Sequence, residues 1–307
     1  MENKVSDKDM EKNKFHSGFV AIIGKPNVGK STLMNALLGE KLSIVTPKAQ
    51  TTRNRITGIL TEENYQVIFI DTPGIFEPTY KLQKYMVQNA IKAASESDVI
   101  LFMVEATDQP DDFRKDIYEK VSDTKKKIIL AINKVDKIKD KGELLPLISE
   151  YHSKFGFDEI IPISALNGDG LADLLKTIID SLPEGGIYYP PDEISDLPER
   201  FFIAEIIREK IFLKTQQEIP YSTTVQTEEV KRREDGKVYI RANIYVEKKS
   251  QKGIIIGDKG KMLKDIGQSA RKDIEDWLGL PVYLDLWVSV KQDWRDKESY
   301  LREFGYQ

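Results

Sequence analysis

The stretch Gly18–Thr32, GFVAIIGKPNVGKST, leaves little choice of fold. Phe19–Ile23 is continuously apolar, with no polar alternation, so it reads as a strand buried on both faces inside a parallel sheet. It runs directly into Gly24-Lys25-Pro26-Asn27-Val28-Gly29-Lys30-Ser31-Thr32, which fits G-x-x-x-x-G-K-[ST], and then into a helical pattern. The glycines let the backbone curl so that successive N–H groups point inward. The helix opening at Lys30 adds the partial positive charge of its N-terminus. Such a turn cradles phosphate: Lys30 is placed for the β- and γ-phosphates of a nucleotide, and the Ser31 hydroxyl for Mg²⁺.

Further apolar runs follow at Tyr65–Asp71, Asp98–Ala106, Lys126–Lys134 and Glu159–Ala165, separated by helical patterns, the last over Gly170–Leu182. Strands alternating with helices predict a mostly parallel sheet covered on both faces. Leu182–Arg200 then holds four prolines and two glycines, the composition of a linker. Beyond it the pattern gives a helix (Pro198–Thr215), strands Ser222–Val230 and Lys237–Glu247 about the turn Glu234–Gly236, the short apolar run Gly253–Gly257, a helix (Gly260–Gly279) and a strand (Pro281–Val290). This is a small α+β unit. The expected division is a flexible tail over 1–16, an α/β domain over 17–182, a linker over 183–198 and the second domain over 199–307.

The absence of cysteine excludes disulfides and thiolate metal sites, and points to a reducing cytoplasm. His16 and His152 stand in no ligand-like pattern. No apolar run reaches the roughly 20 residues of a membrane span, and the N-terminus is too polar and acidic for a signal peptide. Contact with a membrane surface stays open. The net charge of −4 argues weakly against nucleic acid, but Lys231–Lys272 carries 13 Lys and Arg against 5 Asp and Glu, a local net of +8.

Three further elements narrow the nucleotide. Asp71-Thr72-Pro73-Gly74 ends a strand; an acid there can hold a metal through water, and the Gly74 N–H can reach a γ-phosphate. Asn133-Lys134-Val135-Asp136 ends another. A carboxylate accepts from both N1–H and the exocyclic amine of guanine, a donor pair that adenine lacks, so Asp136 selects GTP over ATP. The Lys134 stem is expected along the base, and a backbone N–H near Ser164 and Ala165 is expected at guanine O6. In this order the motifs resemble those of a translation-associated small GTPase of the class that includes Ras-like proteins. The resemblance implies that Ala49–Arg55, AQTTRNR, is the first switch loop, with Thr52 rather than Thr51 completing the Mg²⁺ shell with Ser31 and Asp71. Ras-like enzymes place a water-orienting glutamine after the Asp71–Gly74 motif; Ile75 stands there instead. Slow hydrolysis, or another group for the water, is expected. In similar GTPases an asparagine at position 27 helps to hold K⁺ near the phosphates, so Asn27 is a candidate K⁺ ligand. The catalytic set is then Lys30, Thr52, Gly74 and Asn27.

A second glycine loop, Gly257-Asp258-Lys259-Gly260, follows the run Ile254–Ile256, which is expected to bury a short helix. With the order of elements around it, it resembles the G-x-x-G clamp of a type II KH domain, which grips single-stranded RNA. Lys252, Lys259 and Lys261 supply charge, while Asp258 takes a place where a second basic residue is frequent. A P-loop GTPase followed by a type II KH domain is similar to the Era family of bacterial ribosome-assembly GTPases. That resemblance implies GTP and GDP with Mg²⁺, binding of 16S rRNA near its 3′ end, assistance to maturation of the 30S subunit, and peripheral contact with the cytoplasmic face of the inner membrane. A monomer is expected. An RNA chaperone with a passive GTPase half, a nucleotide-dependent enzyme acting on RNA, and a membrane-signalling GTPase remain alternatives.

Overall fold

The computed structural model describes residues 14–157 and 159–306. The first thirteen residues, most of the expected tail, lie outside the described part. Strand β1 (His16–Gly24) occupies the middle of a six-stranded sheet ordered β2–β3–β1–β4–β5–β6. Its Val20–Ile23 are fully buried: Val20 and Ile22 enter one apolar layer, and Ala21 and Ile23 the other. That two-sided burial is why the run has no polar alternation. Strands β3 (Tyr65–Asp71), β4 (Val99–Glu105), β5 (Lys127–Asn133) and β6 (Glu159–Pro162) are parallel to it. Strand β2 (Ile56–Glu62), not singled out from the sequence, pairs antiparallel with β3 at the sheet edge. Its mixed pattern, ITGILTE, follows from that edge position.

Helices α1 (Lys30–Leu38) and α5 (Leu171–Ser181) cover one face. Helices α2 (Lys81–Glu96), α3 (Asp112–Ser122) and α4 (Leu144–Phe155) cover the other. The chain then runs back along the sheet. Ile59 N–H donates to the Ile194 carbonyl (2.9 Å), and the Gln66 side chain bonds the backbone at Tyr188 and Tyr189.

The second unit packs α6 (Glu199–Lys214), α7 (Lys249–Ile256) and α8 (Lys261–Leu278) on a sheet ordered β7–β8–β9. β7 (Thr224–Arg232) and β8 (Val238–Val246) are antiparallel; β9 (Val282–Val290) is parallel to β8, and α7 and α8 form the crossover between them. Val238, Ile240, Ala242 and Ile244 alternate into the helix-covered core. One expectation is corrected: Ile255 is buried, but Ile254 is 48% exposed. Successive helical residues point about 100° apart, so a three-residue apolar run cannot bury entirely against one surface.

The units meet in several places, two of them apolar. Phe202 of α6 joins Leu42 in the core of the first domain. The C-terminal segment, with helix α9 (Glu298–Glu303), brings Trp294, Leu301 and Tyr306 onto Leu82 and Met86 of α2.

Candidate functional site

The carboxyl ends of β1, β3 and β5 converge, the usual position for a ligand in an open parallel sheet. A cavity of about 450 Å³ opens there, lined by Gly29, Lys30, Ser31, Thr52, Gly74 and Lys134 among others. The turn after β1 depends on two glycines. A Cβ on Gly24 would meet the Met103 carbonyl oxygen at 2.4 Å; Gly29, at φ +103°, has the Asn133 amide nitrogen where its Cβ would lie, 2.2 Å away. Asn133 fastens the loops together: its amide donates to the Val28 carbonyl (2.7 Å), and its Oδ1 accepts from the Ala165 N–H (2.9 Å).

Lys30 is buried, and its Nζ donates to the carbonyls of Gly24 (3.2 Å) and Lys25 (2.9 Å). Burial, only partly offset by Asp71, lowers its pKa to about 8. An ammonium so poorly solvated is poised for an anion.

Asp71 is fully buried. Its Oδ2 accepts from Ser31 Oγ (2.6 Å) and Ser43 Oγ (3.0 Å), with Thr52 Oγ1 at 3.4 Å; Ser31 and Thr52 hydroxyls lie 2.9 Å apart. Its Oδ1 is buried without a hydrogen-bond partner. Burial pushes this carboxyl above its ordinary range, against the pull of the Ser31 bond and the Lys30 charge. An orphaned carboxylate oxygen beside two hydroxyls is a donor set suited to a hard divalent cation. Thr51, by contrast, turns away, donating to the Lys48 carbonyl (2.7 Å) and sharing a bond with Thr46 (2.7 Å).

The turn after β3 lies against the cradle. Ile75 N–H donates to the Gly24 carbonyl (3.1 Å), Thr72 Oγ1 to that of Ile22 (2.6 Å), and a Cβ on Gly74 would strike the Pro26 backbone at 2.6 Å. Pro73 completes this turn. Ile75 is buried in the core, so its side chain takes no part in the cavity. Asn27, at φ +64°, donates its side-chain amide to the Pro47 carbonyl (3.2 Å).

Beyond β5, Ser164 Oγ donates to Asp136 Oδ1 (2.5 Å), joining the Asn133–Asp136 stretch to Ser164–Ala165. Lys134 Nζ donates to the Asn27 carbonyl (2.7 Å) and to Glu105 (2.5 Å), which also holds Lys137 (2.8 Å). Burial raises the Glu105 carboxyl, but these two lysines outweigh it and leave its pKa lowered. The backbone N–H groups of Ser164 and Ala165 are both engaged, by the Asp169 carbonyl and by Asn133. Glu105 and Ser43 were not foreseen; a lone acid at a strand end and a serine in a loop carry no pattern of their own.

The second loop joins α7 to α8. Gly257 (φ +71°), Lys259 (φ +48°) and Gly260 (φ +79°) are all left-handed, and a Cβ on Gly257 would meet Met262 Cβ at 2.7 Å. Asp258 pairs with Lys261 (3.6 Å), both well exposed, so the acid offsets Lys261 rather than Lys259. Lys252 sits on α7, facing partly to solvent. Beside the loop runs a groove of about 390 Å³ lined by Leu263, Lys264, Gln268, Arg271, Leu284 and Leu286. Lys264, Gln268 and Arg271 share one face of α8. Their spacing of four and three is the sign of that shared face in the sequence.

Residues 19–134 match the family model of a 50S ribosome-binding GTPase, and residues 218–295 that of a KH domain. GTPase Era of Geobacter metallireducens is 50% identical over 298 residues, covering 97% of this chain and all of the relative. GTPase Era of Lacticaseibacillus paracasei is 50% identical over 291 residues, 95% of this chain and 97% of its own. An Aquifex aeolicus Era variant bound to GDP·AlF4⁻ superposes with a TM-score of 0.93 at 47% identity, over 95% of this chain and 99% of that one. Era in complex with MgGDPNP and nucleotides 1506–1542 of 16S ribosomal RNA gives the same figures. Matched in sequence over 95–97% of its length and in fold over 95%, the chain belongs to the Era family of GTPases.

Proposed function

We propose that this protein is a GTP-hydrolysing switch that binds the 3′ region of 16S rRNA through its KH domain and assists maturation of the small ribosomal subunit. Residues 17–182 form the GTPase, 183–198 the linker and 199–307 the RNA-binding domain. The observation that carries the reading is the cluster of buried Lys30, Thr52 and Asp71 with half-buried Ser31 at the mouth of the Gly24–Thr32 cradle. Relatives bound to GDP·AlF4⁻ and to MgGDPNP with 16S rRNA support it.

In the mechanism, the backbone N–H groups of Gly24–Thr32 and the Lys30 ammonium hold the β- and γ-phosphates. The Gly74 N–H contacts the γ-phosphate, and Asp136, steadied by Ser164, accepts from the guanine edge. Ser31 and Thr52 would hold Mg²⁺ directly and Asp71 through water; that ion, when bound, neutralises charge spread over the phosphate oxygens. Water attacks in line, and fixed charges and dipoles stabilise the transition state. The Ile75 side chain neither donates nor accepts, so the water is oriented from elsewhere and turnover is slow. A K⁺ held near Asn27 is the proposed substitute for a fingertip positive charge.

The switch loop also touches the second domain. Arg53 Nη1 donates to the Thr223 carbonyl (2.7 Å) and Nη2 to those of Pro220 (2.9 Å) and Tyr221 (3.2 Å). Lys48 caps the carbonyls of Phe212 and Thr215 at the end of α6, and Arg208 of α6, paired with Glu205, donates to the Thr51 carbonyl (2.5 Å). A movement of Thr52 on nucleotide exchange therefore acts directly on α6 and the 220–223 loop, which couples GTP to RNA access.

GTP turnover of wild type beside Lys30→Ala tests the enzyme; equal turnover ends the reading. Crosslinking of cellular RNA to wild type and to Gly260→Asp tests the partner. Enrichment of the 16S 3′ end must appear and then be lost in the variant. A second reading, peripheral contact with the inner membrane from the cytoplasmic side, draws on the +8 window. Among the described residues no helix is long and apolar enough to cross a membrane. Pull-down by anionic vesicles that RNA fails to displace would favour it. The chain acts as a monomer in either reading.

A further inference from the structure

The second sheet has an outer face that its helices leave uncovered. Rows of side chains point outward from it: Lys231–Tyr239–Tyr283, Glu229–Arg241–Asp285 and Gln226–Asn243–Trp287, followed by Thr224–Tyr245–Ser289. The last row is roofed by the C-terminal segment, with the Phe304 ring 4.8 Å from that of Tyr245. The first two are open; in the third Gln226 donates to the Glu303 carbonyl (3.2 Å) and Asn243 is half-buried, while Trp287 stays exposed. Tyr283 is 57% and Trp287 59% exposed, an unusual state for two large rings two turns of alternation apart on one strand.

The open rings form a surface with an ordered geometry. Tyr239 and Tyr283 lie 5.9 Å apart with planes within 15°, and the Arg233 guanidinium sits over both, 4.9 and 5.7 Å from the ring centres. Asp285 is enclosed by the Tyr239 hydroxyl (3.2 Å), the Trp287 indole N–H (3.0 Å) and Arg241 (3.5 Å), so the one outward acid of β9 is already partnered. Lys231, Arg232 and Lys237 are exposed at the same end of the sheet. Flat aromatic faces ringed by Arg and Lys suit bases that stack while their phosphates are neutralised.

Position adds a second argument. β9 is an edge strand. Its Leu284 and Leu286 line the groove beside the G-x-x-G loop, while Tyr283 and Trp287, alternating with them, lie on the opposite face. No neighbouring strand separates the two surfaces. A G-x-x-G clamp grips only about four nucleotides, so a longer RNA leaving the groove over β9 arrives on these rings.

We propose that the outer face of the KH sheet, centred on Tyr239, Tyr283 and Trp287 with Arg233, is a second RNA-binding surface, a stacking platform for single-stranded nucleotides flanking those in the groove. The proposal rests on the RNA reading given above. The test uses the full chain and single-stranded RNA from the 3′ end of 16S rRNA, in a short form that fills only the groove and a form extended on both sides. Fluorescence anisotropy should give tighter binding of the extended form to wild type. Tyr283→Ala/Trp287→Ala should weaken the extended form at least about tenfold and leave the short form unchanged, while Trp287→Phe, which keeps a ring, should retain most of the affinity. An extended form that binds wild type no more tightly, or a double variant that loses nothing or loses equally on both lengths, overturns the proposal. So does a concentration-dependent dimer that Trp287→Ala abolishes, since the face would then belong to a second copy. Gly260→Asp separates the two readings: binding of the short form that survives it defeats the groove, whereas the difference between lengths reports on the platform alone.

Discussion

Lys30 should take up a proton when a nucleotide binds. In the empty site burial holds its pKa at about 8 against an ordinary 10.5, because desolvation outweighs the nearby Asp71. Two phosphates in the cradle surround the ammonium with negative charge and return it to the protonated form. At about pH 9 the empty site carries the proton on roughly one molecule in eleven, and at about pH 7 on ten in eleven. Binding of Mg·GDP should then take up about 0.9 proton at the higher pH and about 0.1 at the lower. The Kd should rise about tenfold between them, or about 1.4 kcal/mol. Isothermal titration calorimetry in buffers of different ionisation heat measures the uptake directly, and a titration of GDP alone removes the contribution of the base. The Lys30 side chain, followed by NMR through its Cε, should titrate near pH 8 in the empty protein. Uptake that does not change between the two pH values, or a side chain that titrates above about pH 10, refutes the reasoning. The same linkage acts on folding. The folded pKa lies below the unfolded one, so between about pH 8 and 10.5 the unfolded chain holds a proton that the empty fold has released, and stability rises with pH by at most roughly 3 kcal/mol.

Other consequences follow from the same contacts. Asp136→Asn replaces a charged acceptor of two donors by an amide, and should weaken GDP binding by about 30- to 150-fold while improving binding of xanthosine diphosphate; equal affinity for GDP would remove Asp136 from the base site. Arg53→Met leaves three buried carbonyls without their donor and should destabilise the protein by about 2–4 kcal/mol in urea unfolding; a loss below about 0.5 kcal/mol would show that the contacts with the 220–223 loop carry little. Gly257→Ala should cost about 2–4 kcal/mol, since its Cβ collides with Met262 at a left-handed φ, whereas Gly260→Ala, which opens on empty space, should cost about 1 kcal/mol; equal melting shifts would contradict that contrast.

Much of this site was legible as spacing. The phosphate turn, the acid after β3 and the Asn133–Asp136 motif are local: each needs only a short stretch ending a buried strand, and hydrophobic continuity reveals such strands without knowledge of their neighbours. The preference for Thr52 came from resemblance, and in the fold Thr52 rather than Thr51 lies against Ser31 and Asp71. Strand β2 passed unnoticed because an edge strand paired on one side has no continuous apolar run. The expected N–H donors at Ser164 and Ala165 are engaged within the fold, since Asn133, in another loop, claims one of them. Lys264, Gln268 and Arg271 carry no sign of the groove in sequence, because its other wall, Leu284 and Leu286, comes from a strand that follows the helix.

By itself the sequence determined the two domain classes, the guanine nucleotide and the two phosphate-seeking loops, since backbone freedom and alternation are properties of neighbouring residues. Tertiary structure alone decided what those loops touch. It buried Lys30 and Asp71 together and so moved both pKa values toward the neutral forms. It set Arg53 of the switch loop against carbonyls some 170 positions away. It also gave β9 a groove on one side and bare rings on the other. Burial and long-range contact depend on where a distant segment packs, and no local pattern encodes that.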